Sequence, residues 1–579
     1  MSQANENGKT TDVAIVGGGP VGLMLAMFLD RHGVKSVVFN REPSVRAHPK
    51  GSTHNSRTME HYRRLGFSQR VRNVGLPPDH PTDVAYFTRF DGWELARIAM
   101  PSEAQKQKHL RHSGVLDQIP EPVHRANQMF VEPILFDEAV RSPNITLRFG
   151  WEVEVFEDAG SSVSLQARDV ATGAVESWQA MYLAGCDGGR SFVRSRLGID
   201  YEGSENLKQA FFGGRMISTH LRAPTLYRDL LGGRRAWQYW IVNPQVRTAM
   251  VALNGDDEFL LWIQTDDPDY VPDDAAIAAL MKKCAGVDVP VEVLAFGKWT
   301  AGVALVAERF SAGDRIHLAG DAVHLFTPTG GFGMNTGVDD AANLAWKLAA
   351  AVQGWAGPAL LASYELERKP VAVRNTAAAR ALAQSVGKVP VAPALDDDSP
   401  AGESARREAA ALLATFGDEY ASLGVQLGAR YDASPVVMAH REVAADGLSD
   451  YLPTSLPGGR APHFWIGEGR QPGDSVYDRL GVGFCLLCFD SSDAAGIEAL
   501  LASACRRGIP LTVLRLTHPQ AHALYAVNFA LVRPDQHIAW RGDELPQQAG
   551  DLLDLVTGHG QPPLPDDRPD RPFGSKGEP

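Results

Sequence analysis

Five cysteines in 579 residues are too few to staple a fold of this size, so its stability must come from a buried core, as in a reducing compartment. No apolar run approaches the ~18 residues of a spanning helix, and the stretch from Met1 to Thr11 is polar rather than a secretory signal. Positive charge is short as well. The chain has 56 Lys and Arg against 69 Asp and Glu, a formal net charge of -13, which leaves no attractive positive face for nucleic acid or an anionic membrane surface. There is no internal repeat. What remains is ordinary globular usage, 44% hydrophobic and 22% charged residues, in a chain long enough for several domains. These absences predict a cytoplasmic protein with no nucleic-acid partner and no membrane insertion.

Two stretches interrupt the pattern. Val389 to Glu403 mixes Pro, Asp and Ser with little periodicity and predicts a surface excursion. Gln561 to Pro579 is rich in Pro and charge and predicts a flexible tail. A softer boundary at Tyr451 to Pro462 precedes an apolar strand (GVGFCLLCF), a helix over 494–507, a second strand (PLTVLRL) and a hairpin, the order of a small α/β domain.

The chemistry-bearing motifs lie upstream. Asp12 to Val16 reads as a short apolar strand running into Gly17-Gly18-Gly19-Pro20-Val21-Gly22 and then a helical stretch. In that context GxGxxG predicts dinucleotide binding: Gly17 for the tight turn, Gly19 for backbone approach to a pyrophosphate, Gly22 for helix–strand packing, and the helix N-terminus for N–H groups and dipole. The second strand, SVVFN, ends in Asn40 and Arg41 where an acidic residue would meet the adenosine ribose. Asn40 can still hydrogen-bond a hydroxyl. A third strand leads into Asp187-Gly188 and a helix carrying Ser191 and Arg194. A fourth ends in Gly320-Asp321, followed by a Pro/Gly loop and a helix starting near Met334. Asp321 can accept from a ribityl hydroxyl, and the helix start at Gly333 to Asn335 places positive dipole where a reduced flavin gathers negative charge.

At these residues the sequence resembles the FAD-dependent aromatic hydroxylases typified by p-hydroxybenzoate hydroxylase, and most of all their phenol hydroxylase-like branch. The segment Asn55-Ser56-Arg57-Thr58-Met59-Glu60, Gln128 in HRANQMFVEPIL, RAPH at Arg460 to His463 and LVRPD at Leu531 to Asp535 extend the resemblance over nearly the whole chain. It implies an α/β fold: a Rossmann-like FAD-binding domain with an interleaved β-sheet substrate domain, plus a C-terminal thioredoxin-like α/β domain. The implied boundaries are 1–205 for the first FAD-binding part, with substrate-side segments at about 80–125, then 206–300 for the substrate sheet and 301–388 for the second FAD-binding part. A linker and helical segment follows at 389–450, the thioredoxin-like domain at 451–560, and the tail at 561–579.

The implied reaction is hydroxylation of a phenolic or related aromatic through a flavin hydroperoxide, with FAD as cofactor, NADH or NADPH as transient co-substrate, and O2. A homodimer is compatible with this. The cofactor set is then Gly17, Gly19, Pro20, Val21, Gly22, Asn40, Arg41, Lys50, Arg57, Gln128, Asp187, Asp321, Gly331, Gly333, Met334 and Asn335. No metal is expected. A non-catalytic flavin-binding protein, or another flavin-dependent oxidoreductase, is the alternative.

Ser52 stands where members of the branch carry an Asp or His that helps deprotonate a phenol. In an extended KGSTH segment His54 shares its face, which makes His54 the expected base. Pro328, in the loop beside the flavin, is expected to shape the oxygen-reaction cavity. The stretch from 235 to 265 reads as β-sheet, and alternation puts Trp237 and Tyr239 on one face as substrate contacts, with Trp240 on the other; the Tyr239 hydroxyl is expected to take part in catalysis beside the substrate. Cys485 and Cys488 form a CxxC. They lie inside a continuous apolar strand rather than at a helix start, which predicts inert core cysteines.

Overall fold

The computed structural model describes residues 8–112, 117–204, 214–386, 389, 391–440, 442, 447–489 and 493–560; the tail at 561–579 lies outside the described residues. Lys9–Val16 opens the fold as a strand whose last four residues are fully buried. Runs of Val and Ile without alternation suit a strand covered on both faces. It lies between the parallel strands Ser36–Asn40 and Val175–Gly185, and the sheet continues to Ile145–Phe149 on one side and Ile316–Leu318 on the other. The helix Pro20–Arg31 begins with Pro at its first position and buries every residue from Gly22 to Leu29 against this sheet.

Register fixes the function of this layer. Val16 is level with Gly185 and with Phe39, and Gly185 is level with Leu318. All the motif loops therefore leave one carboxyl edge of a parallel sheet, the place where open α/β sheets bind ligands.

A second, seven-stranded sheet runs in the order Glu292–Ala301, Gly214–Arg222, Glu258–Thr265, Arg247–Ala252, Gln238–Val242, Val84–Phe87, Glu94–Ile98. Segments more than a hundred residues apart are thus interleaved, and Gln238–Val242 pairs parallel with Val84–Phe87. The stretch expected at the surface from Val389 is partly core: Val389 and Leu395 are buried in the cluster behind this sheet. Two apolar residues among Pro and Asp suffice to pin such a segment.

In the C-terminal region the parallel strands Leu511–Arg515 and Phe484–Cys488 are extended by the antiparallel Phe529–Val532 and Ile538–Gly542. With the helices Ala494–Arg506 and Ala549–Thr557 they form the thioredoxin-like unit. Cys485 and Cys488 are buried in two different clusters, as opposite faces of a strand require, and burial pushes the Cys485 thiol up to about 11.

This unit is bolted to the rest by charge as well as by contact. Trp346 on the helix Gly333–Val352 packs against Phe484. Glu367, on the helix Pro358–Val386, accepts from Lys347 (2.6 Å), Asn343 (2.7 Å) and both terminal nitrogens of Arg533 (2.7 and 2.8 Å), all fully buried. Among the described residues no helix is long and apolar enough to cross a membrane.

Candidate active site

Gly17 adopts φ +109°, and a Cβ there would lie 2.2 Å from the carbonyl oxygen of Cys186. A Cβ on Gly22 would lie 1.9 Å from the carbonyl oxygen of Gly17. Both positions are closed by backbone, which brings the Pro20 helix end to the strand edge. Asn40 Oδ1 accepts from the Gly18 N–H (3.1 Å) and its Nδ2 donates to the Glu42 carbonyl (3.0 Å), so its side chain shapes the loop. Arg41 points outward, 3.7 Å from Glu152. The Asp187 carboxylate accepts from Ser191 and from the Val193 N–H (3.1 Å), at the start of the short helix Phe192–Arg196.

Asp321 is exposed, and its carbonyl takes the Tyr201 hydroxyl at 2.6 Å. Gly320 is held from below by Asp340, which accepts its N–H at 3.1 Å and is itself gripped by His324 (2.6 Å) and Arg368 (2.7 Å). Lys50, its pKa lowered by burial and by Arg46, has Asp321 and Glu132 as electrostatic neighbours, and Gln128 donates to Glu132 at 2.6 Å. Asn335 donates to the carbonyls of Thr53 (2.9 Å) and Gly331 (2.6 Å) and accepts from the Asn55 N–H (3.0 Å). It thereby locks the loop that contains the exposed Pro328 against the strand Thr53–His54.

The two helices that start at this cleft, Pro20–Arg31 and Gly333–Val352, have no side-chain cap, whereas neighbouring helices are capped by Asn55, Asn127 and Ser191. Uncapped first-turn N–H groups suit anionic partners. A pyrophosphate at the first and the carbonyl edge of a flavin at the second fit these residues.

Beyond the loop lies an aromatic wall. Trp240 stacks on Tyr86, ring centroids 6.0 Å apart, and the Arg125 guanidinium lies 4.0 Å over the Trp237 ring, which Tyr420 meets edge-on at 6.3 Å. Arg125 donates to the Thr53 hydroxyl. The Thr53 side chain also lies against Gly331.

A family model described as FAD binding domain matches residues 10–379, and one described as aromatic-ring hydroxylase, C-terminal, matches 454–559. The chain belongs to the FAD-dependent aromatic-ring hydroxylases. It is 31% identical to the FAD-dependent monooxygenase apdD of Emericella nidulans, over 93% of this chain and 88% of that one. It is likewise 31% identical to a putative polyketide hydroxylase of Streptomyces halstedii, over 92% and 93%. The structure of the rebeccamycin biosynthetic enzyme RebC with reduced flavin matches with a TM-score of 0.85 at 35% identity, covering 95% of this chain and 99% of that one.

Within this hydroxylase three expected assignments change. Arg57 does not reach the cofactor cleft. Its nitrogens are engaged by Asp339 (3.3 Å), Glu60 (3.0 Å), Gln536 (2.8 Å) and the Asp535 carbonyl (2.7 Å), which joins the FAD-binding and C-terminal parts. His54 turns to the Tyr62 hydroxyl, 3.1 Å from its Nδ1, and burial together with His124 brings its pKa down to about 3. An imidazole so weakly basic is a poor acceptor for a phenolic proton at neutral pH. Alternation does put Ser52 and His54 on one face, yet Thr53, on the other, is the residue of this strand that touches the Pro/Gly loop.

Tyr239 is likewise turned into the sheet's own core, among Phe87 and Phe90, its hydroxyl 2.7 Å from the Ala236 N–H. It does not share a face with Trp237. The strand begins only at Gln238, and the N–H groups of Trp237 and Gln238 both donate to the Asp83 carbonyl, an irregularity that breaks the alternation and sends Trp237 to the Trp240 side.

Glu419 is the residue that motif and periodicity do not announce. It sits in a 3-10 turn, Ala414–Glu419, buried, with the Gly330 backbone and the Tyr420 side chain as electrostatic neighbours. Its Oε2 has no partner among the described residues. Burial, only partly offset by these neighbours and by Arg125, pushes its carboxyl up to about 7. A folded-state value above the unfolded one makes stability fall as pH rises from the unfolded value to the folded one, and costs about 3 kcal/mol once both states are ionised. Glu419→Gln is therefore expected to gain about that much over the wild type between about pH 4 and about pH 8. Urea unfolding at the two pH values checks this; a difference that does not change with pH would contradict the burial argument.

Proposed function

We propose that this hydroxylase acts on a phenol carried on a fused-ring, polyketide-like skeleton, working in the cytoplasm with O2 and either nicotinamide. The carrying observation is the wall of Trp237, Trp240, Tyr86 and Tyr420, linked to the Pro/Gly loop by Thr53, Arg125 and Glu419. A lining of four aromatic side chains suits a flat, extended ring system. The likeness to a polyketide hydroxylase supports the same substrate class.

In this reading the Gly17–Gly22 turn and the Pro20 helix end hold the pyrophosphate, and Asp321, Lys50 and Gln128 line the ribityl side. The amides from Gly331 to Asn335 would meet the flavin's pyrimidine edge. Bound FAD supplies the redox chemistry, carrying electrons from NAD(P)H to O2. The chain's own work is positioning. Asn335 fixes the loop, Asp340 fixes Gly320, Pro328 shapes the cavity beside the ring, and the aromatic wall keeps water from the substrate face.

A panel of single-ring and fused-ring phenols tests the substrate class. Phenol and catechol should stimulate NADH or NADPH oxidation less than 1-naphthol and alizarin, with hydroxylated product accompanying the oxidation. Stimulation and product confined to single-ring phenols would overturn it.

A further inference from the structure

Two buried groups beside the Pro/Gly loop are incomplete. The Arg125 guanidinium has Thr53 and the Met100 sulfur as hydrogen-bonding partners, and no carboxylate ion-pair partner among the described residues. Arginines buried elsewhere in this chain are paired: Arg72 with Glu103 and Glu121, Arg368 with Asp339 and Asp340, Arg533 with Glu367 and Asp535. The second group is Glu419. One of its carboxylate oxygens lacks any partner among the described residues, and so does the indole N–H of Trp237, the ring over which Arg125 lies.

Buried polar atoms are nearly always hydrogen-bonded, and each exception is destabilising. A cation with no carboxylate at ion-pair distance, a carboxylate oxygen without a donor and an indole N–H without an acceptor around one wall therefore mark the place of a ligand's polar atoms. The missing set is an anionic oxygen that bears a removable proton before binding. A phenolic hydroxyl has both properties.

We propose that Glu419 and Arg125 ionise the substrate: Glu419 takes the proton of a phenolic hydroxyl and Arg125 holds the resulting oxyanion. This rests on the aromatic-wall pocket being the substrate site. In the step the phenolic O–H bond breaks, its electron pair stays on the phenolate oxygen, and the proton forms a new O–H bond on Glu419 Oε2. The charge moves from the carboxylate to an oxygen beside the guanidinium, so the pair's net charge is unchanged and none has to enter from water. Among the described residues, the titratable groups facing Glu419 are Arg125 from the strand His124–Arg125, Tyr86 from the seven-stranded sheet, and Tyr420 beside it in the chain. Both tyrosines are raised by burial and stay neutral, so Arg125 is the one group able to balance the oxyanion. A carboxyl that titrates near about pH 7 is matched to this task, since it is ionised often enough to accept and basic enough to keep the proton. A buried imidazole at about 3, the state of His54, is not.

The test uses the FAD-loaded protein and 1-naphthol, a fused-ring phenol that remains neutral in water at about pH 8, where Glu419 is ionised. Binding should produce the ultraviolet spectrum of naphtholate and, in the infrared difference spectrum, the carbonyl band of one new carboxylic acid. Glu419→Gln should bind 1-naphthol without that band, and Glu419→Asp should show it at a shifted frequency. In single turnovers Glu419→Gln should be reduced by NAD(P)H as fast as the wild type but hydroxylate about 100-fold more slowly at pH 7, recovering at high pH as the substrate ionises unaided. Full flavin content would show that the variant is folded. No binding of 1-naphthol by the wild type, no carboxylic acid band on binding, or a band that survives in Glu419→Gln would overturn the proposal. The band is read at binding, so absence of hydroxylated fused-ring product in the panel would count against the substrate class without altering this result.

Discussion

Gly22→Ala is expected to weaken FAD binding by up to about 100-fold, whereas Gly19→Ala is expected to keep the apoprotein's melting temperature and lose FAD affinity. The two glycines are three residues apart and do different work. A Cβ on Gly22 would stand 1.9 Å from the Gly17 carbonyl oxygen, and neither backbone can give way without moving the Pro20–Arg31 helix off its strand. Overpacking of this kind costs about 1–3 kcal/mol; taken from binding, the upper end is a factor of about 100 in FAD affinity. Gly19 has an ordinary φ of -77° and nothing within 4 Å of its Cβ position. An added methyl there meets no protein atom, so any loss of affinity must come from a ligand that occupies the space. Flavin content per chain, FAD titration and apoprotein melting separate the two. Equal FAD affinity in Gly19→Ala and wild type would show that the pyrophosphate does not pass over this turn.

Glu367→Ala is expected to destabilise the protein by about 3–5 kcal/mol, because it leaves the buried cations Lys347 and Arg533 without their shared carboxylate. Burial brings Lys347 down to about 8 even with Glu367 in place. The effect should reach the cofactor, since Lys347 lies on the helix whose first turn we propose faces the flavin. Denaturant unfolding and flavin release should shift together. Adding Lys347→Met, which removes one orphaned charge, should recover part of the loss, and a simply additive double variant would contradict the shared-carboxylate account. Burial alone would raise the Glu367 carboxyl, yet Arg533 and Lys347 hold it well below the usual range. Its contribution to stability is therefore full above about pH 4.5 and is lost as the pH falls.

The cofactor cradle is legible in the sequence because backbone geometry demands particular residue types there: Gly17 for a positive φ, Gly22 for contact with a carbonyl, Pro20 for a helix start. The C-terminal unit is legible from the order of its strands and helices, and the CxxC is recognisable as core because GFCLLCF is apolar without a break. Contacts between distant segments are not written locally. Arg57 lies in a segment that points to the cofactor by resemblance alone, yet its partners Asp339, Asp535 and Gln536 arrive from far along the chain and draw it away from the cleft. Tyr239 and Trp237 follow strict alternation on paper, and one shared acceptor at Asp83 undoes it. Glu419 belongs to no motif. Only burial beside Gly330 and Arg125 gives it a chemistry, although an acidic residue among apolar and aromatic neighbours in the sequence, as in TFGDEY, is the kind of signal that could have pointed to it.

Isotope incorporation decides whether this chain uses FAD to place one atom of O2 on an aromatic ring held against the Trp237–Trp240 wall. FAD-loaded protein, NAD(P)H and 1-naphthol are incubated under oxygen-18 gas and the product is weighed by mass spectrometry. The expected product is hydroxylated naphthol carrying one labelled oxygen atom, formed in step with NAD(P)H oxidation. NAD(P)H oxidation that yields only labelled hydrogen peroxide, or a product whose new oxygen comes from water, would contradict it.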